Sequence, residues 1–306
     1  MMKRYRLIVL FFTLSTLHHQ KLKREERSAW PPPGKLVEVF GDRMHIYAKG
    51  SGNPPLLFSC GNGMFSYGNF YPIFTPLSDN NRIILYDRCG YGWSESTRRP
   101  RSVKQLNLDL HELLKQSGEQ GPFVLVGHSL GATELLQFAQ RYPELTAGLV
   151  MLDGGSPQFY RDSKGVFLRS IPAYAVTAFL RSTGILRMLL RLRPADPDIP
   201  SEVDQVSTMM IANRASSLNS LEQVRSLAHI EPLQQDLGDI PMLVMTAQRT
   251  GNLGEAFRDS QQQLLQLSTQ SRQVVLKEVN HFFPMIYPDL VVEEIRRFLD
   301  EDMVSR

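Results

Sequence analysis

Cysteine is nearly missing from this chain: only Cys60 and Cys89 occur, too few for a disulfide framework or a cysteine-rich metal site. No Cys-x-x-Cys, His-Glu-x-x-His or glycine-rich phosphate loop is present, so the sequence offers no metal and no cofactor. The formal net charge is only +3, and basic residues are not interleaved with aromatics, which excludes a nucleic-acid partner as a working hypothesis. What the 306 residues do hold is an ordinary globular balance, 42% hydrophobic and 21% charged, enough to bury a substantial core.

The first thirty residues stand apart. Lys3, Arg4 and Arg6 precede a mostly apolar run from Leu7 to Leu17, and Lys21 to Arg27 is charged again. That is the layout of a signal-peptide n-region and h-region. Eleven residues are too few to span a bilayer, which takes about 20. No small-x-small cleavage site follows Leu17, because His18 and His19 come next. The expectation is therefore an uncleaved anchor or a poor signal peptide. It would make the protein membrane-associated or exported through this segment, with a cytoplasmic tail as the alternative. Trp30-Pro31-Pro32-Pro33-Gly34 reads as a stiff spacer. The organisation expected is leader and spacer over 1–33, a core over 34–154 and 237–306, and an inserted helical cap over 155–236.

From Lys35 onward the pattern is regular. Val37 and Val39, then Met44 and Ile46, alternate around Gly41-Asp42 as in a hairpin. Continuous apolar runs follow at Leu56–Phe58, Ile83–Tyr86, Phe123–Val126, Leu149–Leu152, Met242–Met245 and Val274–Leu276. Such runs predict strands buried on both faces, as in a parallel sheet covered by helices. Helical patterns lie between most of them, including one capped by Ser102 and stopped at Gly118. The fold class predicted is α/β: a doubly wound, mostly parallel, eight-stranded sheet with an inserted helical cap. In the insertion, Ile185 to Arg193 is both apolar and basic, suited to a membrane surface, an oily tunnel, or a helix packing leucines inward.

Gly127-His128-Ser129-Leu130-Gly131 closes one apolar run and opens a helical one. In a strand–turn–helix elbow the residues two before and two after the serine must be nearly free of side chain. The turn lifts the Ser129 hydroxyl clear of the backbone and turns the Leu130 N–H toward the same space. A serine needs a base, and the base needs a third group to hold it. His281 follows the last strand, at the carboxyl end where Ser129 also emerges, and Asn280 before it tolerates a left-handed backbone. His128 is adjacent to the serine, yet the turn directs successive side chains apart. The acid lies between them in chain order. Gln248-Arg249-Thr250-Gly251-Asn252 after the seventh strand holds no carboxylate, so Asp153 at the tip of the sixth strand is favoured, with Glu255 and Asp259 as alternatives. The second oxyanion donor is expected from Cys60-Gly61-Asn62-Gly63-Met64, through the N–H of Asn62, with its side-chain amide as an extra donor.

With these residues in view, the chain resembles the alpha/beta-hydrolase superfamily from Gly34 onward. Beyond the elbow it has Tyr86-Asp87-Arg88-Cys89-Gly90-Tyr91-Gly92-Trp93-Ser94-Glu95, and Asn280-His281 followed by Pro288 and an amphipathic helix. It is most similar to members with a hydrophobic leader, a Pro32–Val39 segment like its own and the strand Leu149-Val150-Met151-Leu152-Asp153. The resemblance implies a carboxyl-ester or related acyl hydrolase that needs no cofactor and acts on a small apolar acyl substrate. A lactonase or acyltransferase with the same triad, or a non-hydrolytic ligand-binding member, are the alternatives. Two departures stand out. Asn280 replaces the usual glycine, and the usual strand-seven aspartate is missing. A serine nucleophile argues against epoxide hydrolase or dehalogenase chemistry, because those relatives use an aspartate there.

Overall fold

Alternate residues of each apolar run face opposite sides of one sheet, and that parity builds the core. The computed structural model describes residues 2–194, 199–233, 235–248 and 252–303. Its strands are β1 (Lys35–Val39), β2 (Asp42–Lys49), β3 (Leu56–Ser59), β4 (Ile83–Tyr86), β5 (Phe123–His128), β6 (Thr146–Leu152), β7 (Met242–Ala247) and β8 (Ser271–Leu276). The described residues form an eight-stranded sheet in the order β1-β2-β4-β3-β5-β6-β7-β8. β2 pairs antiparallel with β1 and β4, and the other pairings are parallel. This is the doubly wound, mostly parallel sheet expected.

The helices before β6 are α1 (Met2–Ala29), α2 (Ser66–Leu77), α3 (Val103–Ser117) and α4 (Leu130–Arg141). After β6 come α5 (Pro157–Asp162), α6 (Lys164–Arg169), α7 (Ile171–Ser182), α8 (Ile185–Leu190), α9 (Ser201–Arg214) and α10 (Leu218–Leu227). α11 (Asn252–Leu264) lies between β7 and β8, and α12 (Phe283–Ile286) and α13 (Pro288–Arg297) follow. On one face Leu57, Leu125, Leu149 and Met151 meet Leu110 and Leu113 of α3 and Leu135 of α4. On the other, Phe58, Val124, Val126 and Leu152 meet Phe70 and Phe74 of α2 and Val291 and Ile295 of α13. Each such side chain contributes about 1.5–3 kcal/mol on burial, so both faces are strongly held. α3 begins where expected, with the Ser102 hydroxyl accepting from the Gln105 N–H at 3.3 Å, and ends at left-handed Gly118.

The leader corrects an expectation. The run from Leu7 to Leu17 sits inside α1, where eleven residues rise only about 16 Å. A bilayer core is about 30 Å thick. Among the described residues no helix is long and apolar enough to cross a membrane. The membrane-associated or exported placement read from the leader, and the anchor that went with it, are overturned by this. α1 touches the helices that follow β6 through a few side chains, while Leu7, Ile8, Val9, Leu10, Phe11, Leu14 and Leu17 stay exposed. The Ser15 hydroxyl donates to the Thr183 carbonyl at 2.6 Å. Arg187 of α8, buried rather than solvated, pairs with Glu26 and donates to Asn213 Oδ1 at 3.0 Å. The Pro-rich stretch packs too: Trp30 joins Phe65, Met209, Met210 and Trp93.

Candidate active site

The register of the central strands sets the site. Gly127 and His128 of β5 lie beside Met151 and Leu152 of β6, and Leu152 lies beside Met245 of β7. One residue further, the Ser129 N–H donates to Leu152 O at 3.0 Å, and the Asp153 N–H donates to Met245 O at 2.8 Å. Ser129 and Asp153 thus leave the sheet side by side. Ser129 has φ +55° and ψ −122°, a conformation that costs a non-glycine residue about 1–3 kcal/mol. The elbow's glycines are sterically required. A Cβ on Gly131 would sit 2.1 Å from Ser59 O, and one on Gly127 would sit 2.4 Å from Ala132 Cα. Both obstacles are backbone.

His281 comes from the loop between β8 and α12. Its Nδ1 is 2.7 Å from Asp153 Oδ2, and its Nε2 is 2.9 Å from Ser129 Oγ. An ionised carboxylate can only accept, so the proton belongs on Nδ1. That leaves Nε2 bare to accept from the Ser129 hydroxyl. Asp153 is buried, and its Oδ1 accepts from the Ala247 N–H at 3.0 Å and from Gln261 Nε2 at 3.4 Å. With both oxygens engaged the carboxylate has one orientation. Glu255 and Asp259 lie on α11, both solvent-exposed. Of the stretch from Gln248 to Asn252, which holds no carboxylate, residues 249–251 fall outside the described residues. His128 turns away from the serine as expected, and its Nε2 donates to the carbonyl of His281 at 2.9 Å. The left-handed residue of the histidine loop is Glu278, at φ +58°, and not Asn280. Asn280 Oδ1 instead accepts from the Phe282 N–H at 2.8 Å, closing the turn behind His281.

Leu130 is the first residue of α4, and Asn62 lies in the loop after β3, beside the elbow. A Cβ on Gly61 would be 3.4 Å from Ser129 Cβ, so this loop passes directly over the serine. The Asn62 amide is committed elsewhere: Nδ2 donates to Tyr174 Oη of α7 at 2.5 Å, and Oδ1 accepts from Tyr91 at 2.5 Å. Burial pushes the Tyr174 and Tyr91 phenols up, so both stay protonated near neutrality.

Beneath the loop lies a buried ion pair that the sequence does not announce. Arg88 Nε donates to Glu134 Oε2 at 2.6 Å, and Arg88 Nη2 donates to the Cys60 carbonyl at 2.6 Å. Its Nη1 donates to the Gly61 carbonyl at 3.3 Å. In a trans peptide the N–H points opposite the C=O. Drawing the Gly61 carbonyl toward Arg88 therefore turns the Asn62 N–H the other way. The available signal is Glu134 itself, the one charged residue in the stretch Leu130 to Ala139.

Over Ser129 opens a cavity of about 200 Å³, walled by Leu130, Phe159, Tyr160, Phe167, Tyr174 and Phe257. No Asp, Glu, Lys or Arg is among the described residues that line it.

Comparison with known proteins gives the same fold. A family model described as alpha/beta hydrolase fold matches residues 54–283. The uncharacterized protein YbdG of Bacillus subtilis is 30% identical over 156 residues, half of this chain and 48% of its own length. A thermophilic esterase from Thermogutta terrifontis superposes with a TM-score of 0.63 at 21% identity, covering 88% of this chain and 98% of its own. An epoxide hydrolase from Bacillus megaterium reaches 0.70 at 18% identity, covering 87% and 100%. At these identities the structural likeness is one of fold.

Proposed function

The chain belongs to the alpha/beta-hydrolase fold family, and within it we propose that the protein is a serine hydrolase cleaving a carboxylic ester or related acyl bond. The observation that carries the reading is the hydrogen-bond chain from Ser129 through His281 to Asp153. Ser129 Oγ attacks the carbonyl carbon while His281 Nε2 takes its proton. Asp153 holds the imidazole in the required tautomer and stabilises the imidazolium. The N–H groups of Leu130 and Asn62 receive the oxyanion. His281 then protonates the departing alkoxide, and water, activated by the same imidazole, releases the acid from the acyl-enzyme.

The relatives of known name include both an esterase and an epoxide hydrolase. A hydroxyl nucleophile supports the first chemistry here, since its attack on a carbonyl leaves an ester that water can cleave. The uncharged, aromatic wall of the cavity favours a small apolar acyl group. We assign α5 to α10, within 155–236, to a cap that supplies this wall, and the remainder of 34–306 to the hydrolase core. A panel of p-nitrophenyl esters of increasing acyl length tests the proposal. Turnover of the short members, lost in Ser129→Ala, is expected. Ring opening of lactones without ester turnover, or ligand binding without turnover of any ester, would overturn it.

A further inference from the structure

A second cavity, of about 370 Å³, lies where the end of α1 meets the β1–β2 hairpin, the loop after β4, and α9. It shares no lining residue with the cavity over Ser129. Its wall carries Lys23, Arg27, Arg43 and Arg214 against a single carboxylate, Glu95. Glu95 is already taken, for Arg43 Nε and the Arg43 backbone N–H both donate to it at 3.0 Å. Among the described residues Lys23, Arg27 and Arg214 form no ion pair. Arg214 donates only to carbonyls, Gly92 O at 3.1 Å and Ser94 O at 3.0 Å. Burial lowers the basicity of both Lys23 and Arg214. On Lys23 the nearby cations Arg214, Arg181 and Arg27 add to it, and on Arg214 Arg27 and Arg181 do, while Asp87 and Glu95 offset part of the loss.

Like charges gathered in a half-desolvated cavity repel one another and lose hydration, a cost that only a counter-charge offsets. With Glu95 held by Arg43, three cations left without an ion pair of their own ask for more than one negative charge on one compact group. Guanidinium groups suit a tetrahedral oxyanion because they offer paired donors, with lysine as a point charge beside them. The wall also includes Trp30, Trp93, Met209 and Met210, which suit an apolar body attached to that anion. We propose that this cavity is a binding site for a phosphate-type oxyanion, held by Lys23, Arg27 and Arg214.

The chain has only two tryptophans, Trp30 and Trp93, and both line this cavity. Tryptophan emission of the full chain therefore reads its occupancy without reference to catalysis. Inorganic pyrophosphate, titrated at constant ionic strength, should give a saturable emission change, and acetate should give none. Lys23→Gln/Arg27→Gln, both on α1, should weaken pyrophosphate at least 10-fold while far-ultraviolet circular dichroism is unchanged. Arg214→Gln should weaken it similarly. A pyrophosphate response that never saturates, one that acetate reproduces, or one that the double substitution leaves unaltered would overturn the proposal.

Discussion

Asp153 Oδ1 accepts the backbone N–H of Ala247, the last residue of β7, at 3.0 Å. The seventh strand thus supplies an amide to the acid in place of an acid of its own. Oδ2 is left for His281 at 2.7 Å, and Gln261 adds a weaker contact from α11. This arrangement makes the absence of a carboxylate after Met245-Thr246-Ala247 consistent with the proposed triad.

In Asp153→Asn, an amide that keeps its oxygen toward Ala247 turns its NH₂ toward His281. The imidazole must then move its proton from Nδ1 to Nε2, where it can no longer accept from Ser129. Turnover should fall by about 10⁴-fold with folding intact. Glu255→Gln and Asp259→Asn, both on the exposed face of α11, should leave ester turnover near that of the unsubstituted chain. Steady-state kinetics on the three variants checks the assignment.

Arg88 and Glu134 are almost wholly buried, at 2% and 0% side-chain exposure. Arg88→Met leaves a buried carboxylate without its cation and should cost about 3–5 kcal/mol in urea unfolding. Replacing both residues with methionine should recover most of that stability. The carbonyls of Cys60 and Gly61 lose their donor in either variant. In the double variant kcat should therefore stay roughly 100-fold low while KM changes little, if the Asn62 N–H is the oxyanion donor proposed, since misplacing one such donor costs about 10²–10³-fold.

Gly131→Ala would drive a methyl group to 2.1 Å from the Ser59 carbonyl, a backbone atom with no rotamer to escape into. The expected loss is about 3 kcal/mol, at the upper end for overpacking, with activity falling too. Gly165→Ala in α6 meets nothing within 4 Å and should be neutral or stabilising. Urea midpoints of the two variants give the comparison.

Burial pushes the thiols of Cys60 and Cys89 up to about 11. Since the thiolate is the reactive species, both should resist an aromatic disulfide reagent at pH 8 by at least about 100-fold relative to a free cysteine. Both should react at once in denaturant. Rapid labelling of the native protein would contradict their placement.

Much of the fold is legible in the sequence because strands buried on both faces leave unbroken apolar runs, and helices leave their own spacing. Ser102 and Gly118 even mark the ends of α3. Ser129 stands out through its flanking glycines, which answer to local geometry. Long-range pairing is what the sequence conceals. Nothing in the run of α1 foretells that Phe12 meets Phe179, Ser15 meets Thr183 or Glu26 meets Arg187. Asn62 reads as a polar loop residue, whereas its amide is committed to Tyr174 across the cavity mouth. Arg88 reads as one letter of a motif until the carbonyls it holds are seen.

The most direct measurement is reaction with a fluorophosphonate, followed by intact mass and peptide mapping. The proposed triad predicts one stoichiometric phosphonyl adduct, on the peptide containing Ser129, absent from Ser129→Ala and strongly slowed in His281→Ala. An adduct that persists undiminished in Ser129→Ala, or no adduct on the unsubstituted chain, would contradict the account.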